Sequence, residues 1–126
     1  MGQRIKPPKV VVVEDDPDIR SLAAALLEES ELEVIEFEAA EEAAHYVRQY
    51  GSEIAALFVD IRLPGSMDGM DLARAVHARW PDIAIIVTSG AGQDLEMLPK
   101  GARFMQKPWR ALDVMIAVER AAELRH

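Results

Sequence analysis

Apolar residues run unbroken through Val10–Val13, again through "IAALFV" at 54–59, and again through "IAIIV" at 83–87. Runs of that length without alternation fit strands buried on both faces. Between them the apolar period lengthens. Ile19, Leu22, Ala23, Leu26 and Leu27 recur at helical spacing, as do Ala40, Ala43, Ala44 and Val47. Leu72, Ala75 and Val76 repeat the pattern, and Leu112, Met115, Ile116 and Glu119 repeat it once more. The pattern predicts strands over 9–13, 32–37, 54–59, 83–87 and 102–106, with helices between them. Asp16 is suited to cap the first helix, with Pro17 at its first position. Gly51 ends the second helix and Trp80-Pro81 stops the third. Residues 1–8, with Pro7-Pro8, read as a flexible leader, and 9–126 as one domain.

Strands that alternate with helices imply an α/β fold, with a parallel sheet covered on both faces. In such sheets ligands bind beyond the carboxyl ends of the strands. The first strand ends in Glu14 and Asp15, the third in Asp60, the fourth in Thr88 and Ser89, and the fifth at Lys107. One edge of the sheet is thereby expected to gather acids, hydroxyls and an ammonium. Asp60 is expected to be the only strand-terminal acid that faces Lys107 and Thr88.

Composition narrows what that edge does. At 126 residues the chain has the size of one ordinary domain, and 50% hydrophobic residues suffice for a core. A net charge of −8 repels nucleic-acid phosphates, so no nucleic-acid partner is expected. Cysteine is absent, which excludes disulfides and thiolate metal sites. No apolar run approaches the roughly 20 residues that span a bilayer, so no membrane partner is expected and a cytoplasmic location is.

Two carboxylates about 4 Å apart repel by on the order of 4 kcal/mol at an effective dielectric of 20. A cluster of them needs a cation or a proton. Hard oxygen ligands suit Mg²⁺, which keeps several waters and takes one or two carboxylates plus a phosphate oxygen. Lys107 and Thr88 are suited to hold an added anion. The set fits phosphoryl transfer onto an aspartate, where positioning and charge neutralisation supply most of the catalysis.

The stretches "VVVVEDDPDIR", "ALFVDIRLPGSMDG", "IAIIVTSG" and "GARFMQKPW" stand in this order along essentially the whole chain. With them the sequence resembles the receiver domain of bacterial two-component response regulators. The resemblance implies a flavodoxin-like sheet of order 2-1-3-4-5. It implies phosphorylation at Asp60 by a sensor histidine kinase or a phosphotransfer protein. Asp15 and Asp60 would bind Mg²⁺, with Glu14 acting through water and Arg62 through its backbone carbonyl. Thr88, Lys107 and the Ser89 backbone N–H would contact the phosphoryl oxygens. Thr88 and Phe104 occupy the family's switch positions, and Lys107-Pro108 matches a peptide that is cis in the family. A core role for Phe104 is an equal alternative. Such a domain signals by protein contacts, is compatible with a homodimer, and catalyses only its own phosphorylation and dephosphorylation. A stand-alone regulator is the expected setting, with a domain of a hybrid sensor kinase and a degenerate docking-only receiver as alternatives.

Other readings fit less well. A phosphatase of the haloacid dehalogenase type needs an acid where Arg62 stands, and a flavin module needs a hydroxyl-rich loop where the chain has acids. Three departures from the family's pattern stand out. "LPGSMDG" is one residue longer than the usual loop, Arg62 sets a cation beside the site, and the span from Thr88 to Lys107 is short. Arg62 is expected to pair with Glu14 or with the phosphoryl group. Within the short span, Gly90, Gly92, Pro99 and Gly101 leave only about 94–98 for a fourth helix, which is expected to be short or irregular and to be ordered by phosphorylation.

Overall fold

The computed structural model describes residues 7–29, 31–90, 98–107 and 110–124. The strands are β1 (Lys9–Val13), β2 (Glu33–Phe37), β3 (Ile54–Asp60), β4 (Ala84–Ser89) and β5 (Arg103–Gln106). The helices are α1 (Pro17–Glu28), α2 (Ala40–Tyr50), α3 (Gly69–Arg79) and α4 (Ala111–Leu124). The strands form one sheet of order β2-β1-β3-β4-β5, and each neighbouring pair is parallel.

The unbroken apolar runs are central strands. Val10 to Val13 are 0% exposed, and all seven residues of β3 are buried. β2 is an edge strand with Glu33 and Glu36 exposed, which explains its less regular pattern. Strand alternation divides the core in two. Val11, Val13, Leu57, Val59, Ile85 and Val87 pack under α2 and α3. Val10, Val12, Ala56, Phe58, Ile86 and Met105 pack under α1 and α4.

The helix ends follow local chemistry. The Asp16 carboxylate accepts from the N–H groups of Asp18 at 2.9 Å and Ile19 at 3.3 Å, so it caps α1 as expected. Asp68 and Asp71 form a reciprocal capping box at the start of α3. Gly51 has right-handed backbone angles, so a left-handed turn is not what requires it. The Trp80 ring lies over it, and a Cβ there would come within 2.3 Å of the indole nitrogen.

Two helical stripes differ from expectation. Leu22 in α1 is 54% exposed, and Leu112 and Ile116 in α4 are 65% and 38% exposed. From the expected α1 stripe the core takes Ala23 and Leu27, and adds Ala24; from α4 it takes Val114 and Ala117 in place of Leu112 and Ile116. The α4 stripe is thus rotated relative to the buried face, while in α1 only Leu22 is turned out to solvent. Residues 94–97 of the expected short helix, the start of the last helix at Trp109 and Pro108 of the Lys107-Pro108 peptide lie outside the described residues, while Leu98 packs on the α2/α3 core.

Candidate functional site

Parallel register sets the site. Val13 stands opposite Val59, Asp60 opposite Thr88, and Thr88 opposite Met105. Glu14 follows Val13, and Lys107 lies two residues beyond Met105. By alternation, Glu14, Asp60, Thr88 and Lys107 fall in one row, on the α1/α4 face at the carboxyl edge. Backbone bonds fix the row. The Ile61 N–H donates to the Thr88 carbonyl at 2.9 Å, and the Lys107 N–H donates to the Ser89 carbonyl at 2.8 Å.

The side chains meet. Lys107 Nζ donates to Glu14 Oε1 at 2.7 Å and to Asp60 Oδ2 at 2.8 Å. Glu14 is 4% exposed and Asp60 6%. Lys107 therefore faces two strand-terminal acids, and the expectation that it faces Asp60 alone is corrected. Burial works against the Lys107 ammonium, but hydrogen bonds and charge attraction from Asp60 and Glu14 outweigh it and raise its pKa above the ordinary 10.5. Burial pushes the Glu14 carboxyl up, against the pull of Lys107 and the Asp16 N–H.

Arg62 is an exposed residue, and among the described residues its guanidinium pairs with no carboxylate. Of its two expected pairings, the one with Glu14 does not occur; Glu14 pairs with Lys107. Its backbone matters instead: the Arg62 N–H donates to Asp60 Oδ1 at 3.0 Å. Both oxygens of Asp60 are thus oriented, one by the loop that follows it and one by Lys107.

Thr88 and Ser89 are each 1% exposed, and neither Thr88 Oγ1 nor Ser89 Oγ has a hydrogen-bond partner among the described residues. An unpartnered buried hydroxyl costs roughly 1–3 kcal/mol, so a hydroxyl held in that state marks a place for another oxygen. Phe104 stands opposite Val87, half-buried, and packs on the α2/α3 core. It lies across the sheet from Thr88 by alternation.

Glu14, Asp15 and Asp60 each offer an oxygen within 4.8 Å of the others'. Two of these acids are buried, and Asp15 is exposed at the edge. The donor set is all carboxylate and open to water on one side, which fits a hard cation that keeps part of its hydration shell.

Three further residues support the site without having been singled out. Arg20 Nη1 donates to the Glu14 carbonyl at 2.9 Å, while its Nε lies 3.5 Å from Glu36 of β2. Gly69 lies so close to β3 that a Cβ there would fall 1.7 Å from the Asp60 carbonyl oxygen. Glu41 of α2 accepts hydrogen bonds from Ser66 and Met67, in the loop after Asp60. The glycine of "MDG" carried a readable signal; the arginine and the glutamate carried none.

The family model described as "Response regulator receiver domain" matches residues 10–119. The chain is 31% identical over 124 residues to the nitrogen assimilation regulatory protein NtrX of Azorhizobium caulinodans, covering 90% of this chain and 26% of that protein. It is 28% identical to the response regulator receiver protein CpdR of Brucella abortus, covering 89% of this chain and 94% of that one. The chain spans about a quarter of the length of the NtrX and DctD proteins it matches. The crystal structure of a response regulator receiver domain protein from Clostridium thermocellum superposes with a TM-score of 0.83 at 27% identity, over 92% of this chain and 94% of that one. With sheet order, site chemistry and family match in agreement, the chain belongs to the response regulator receiver domains of two-component systems.

Proposed function

We propose that this domain takes a phosphoryl group onto Asp60 from a phosphohistidine of a sensor kinase or phosphotransfer protein. The observation that supports this reading best is the buried Asp60 carboxylate, held by Lys107 and the Arg62 N–H, with the unpartnered Thr88 hydroxyl on the neighbouring strand. An Asp60 oxygen attacks phosphorus, an acyl P–O bond forms, and the donor's P–N bond breaks with its electron pair returning to the imidazole.

Each neighbour has a role in that step. Lys107 gives up its bond to the Asp60 carboxylate and holds a phosphoryl oxygen instead. Thr88 Oγ1 and the Ser89 N–H donate to the others. Thr88 is the group that moves, because its hydroxyl gains a partner only in the modified state. Phe104 follows through the β4–β5 pairing. Glu14, Asp15, Asp60 and the Arg62 carbonyl would hold Mg²⁺. When bound, the cation neutralises charge on the transferring phosphoryl group. The domain itself supplies this positioning, so it promotes its own phosphorylation and the hydrolysis that follows, and it acts on no separate substrate.

The test uses a small acyl-phosphate donor. In Mg²⁺ the parent protein gains the mass of one phosphoryl group, the gain disappears on chelation, and Asp60→Asn gains nothing. Undiminished labelling of Asp60→Asn would overturn the assignment. Labelling of the parent in chelator would remove the cation from it.

A further inference from the structure

The loop between β3 and α3 carries one residue more than the family's usual form, and its extra length is held at a single point. Its base is fixed by the Gly69 N–H, which donates to the Ile61 carbonyl at 2.9 Å, and by the contact of Gly69 with the Asp60 carbonyl. Its apex is fixed by Glu41. Oε2 of Glu41 accepts from Ser66 N at 2.9 Å, Ser66 Oγ at 2.9 Å and Met67 N at 3.1 Å. Gly65 makes the turn that allows this: its φ is +103°, and a Cβ there would lie 2.8 Å from the same Glu41 oxygen.

An acid in the first turn of α2 is ordinarily explained by the helix dipole. That explanation does not require three donors from another element, 25 and 26 residues away, to converge on one oxygen. Between the two fixed points runs Arg62, whose N–H orients Asp60 Oδ1 at 3.0 Å. With the apex released, only the base would hold the Arg62 peptide in place.

We propose that Glu41 is a positioning residue for the phosphorylation site. By clamping the apex of the lengthened loop it holds the Arg62 peptide, and so sets the affinity of the site for Mg²⁺. This rests on the proposed function, in which the Arg62 carbonyl is a metal ligand.

The experiment measures Mg²⁺ binding by calorimetry in the parent, Glu41→Ala, Glu41→Gln and Ser66→Ala, with melting temperature as the check on folding. Residues that support metal ligands typically affect affinity by about 10- to 100-fold, and a clamp one step further out is expected to cost about three- to tenfold in Glu41→Ala. Glu41→Gln, which keeps an accepting oxygen, recovers most of the loss. Ser66→Ala, which removes one donor of three, loses part of it. Affinity in Glu41→Ala equal to the parent's overturns the proposal. So does a Glu41→Gln variant as weak as Glu41→Ala, since the effect would then be one of long-range charge. A parent that binds no Mg²⁺ overturns this proposal together with the metal site; a parent that binds and labels, with Glu41→Ala unchanged, overturns this proposal alone.

Discussion

Lys107 is shared between Glu14 and Asp60. Burial raises the pKa of Glu14 above its ordinary 4.5 despite the lysine. A raised carboxyl favours the folded state at low pH, and that contribution is lost as pH rises from 4.5 through the folded value. At neutral pH the ionised Glu14 therefore weighs against folding. Glu14→Gln removes the charge, but it leaves one accepting oxygen where Lys107 and the Asp16 N–H now each take one. Its gain in melting temperature on adding Mg²⁺ is expected to be smaller than the parent's. A gain equal to the parent's would contradict this. Glu41 shows the opposite sign. Its own backbone N–H, Ser66 and Met67 hold its pKa below 4.5. Its hold on the loop is thus complete above 4.5 and lost as pH falls through the lowered value. The Ser66 and Met67 amide resonances are expected to titrate with a midpoint below 4.5, and a midpoint at or above it would contradict the clamp. Glu14, Asp60, Thr88 and Lys107 were legible in the sequence because each follows a recognisable apolar run. Arg20 and Glu41 were not, because neither ends a strand. Glu41 in particular acts on a loop 25 residues away that only the fold brings near.

The apolar runs located β1, β3 and β4 at the scale of the element, because a strand buried on both faces leaves no alternative periodicity; the edge strands β2 and β5 were read from shorter, mixed stretches. The helices were less legible in detail. Leu22, Leu112 and Ile116 keep helical spacing and still face outward. Spacing defines a face but not which face the sheet covers, and here Ala23, Leu27, Val114 and Ala117 fill the interface. Gly69 begins α3, where a residue other than glycine would ordinarily favour the helix. Alanine is better than glycine by about 1 kcal/mol in a helix interior, yet Gly69→Ala would set a Cβ 1.7 Å from the Asp60 carbonyl oxygen. The clash is with backbone, so it wins. Overpacking of this kind costs about 1–3 kcal/mol, and urea denaturation of Gly69→Ala is expected to show a loss at the upper end of that range. A neutral or stabilised variant would mean that the loop yields more readily than its bonds indicate.

Across the whole molecule, a net charge of −8 and a row of acids at one edge make cation binding a stabilising event. A ligand that binds only the folded state adds about 1.4 kcal/mol per tenfold rise in concentration above its dissociation constant. Mg²⁺ is therefore expected to raise the melting temperature of the parent and to leave that of Asp15→Ala nearly unchanged. A parent melting temperature indifferent to Mg²⁺ would favour a receiver that only docks. Among the described residues no helix is long and apolar enough to cross a membrane. The proposed function directs the chemistry to one carboxylate, that of Asp60. The most direct measurement is therefore reductive trapping. The parent is phosphorylated by a small acyl-phosphate donor in Mg²⁺, the acyl phosphate is reduced with labelled borohydride, and the protein is digested and mapped by mass spectrometry. The label is expected in the peptide that contains Asp60, at Asp60 itself, and nowhere else. Label at Glu14, Asp15 or Asp16, or spread among the acids of the edge, would contradict the account.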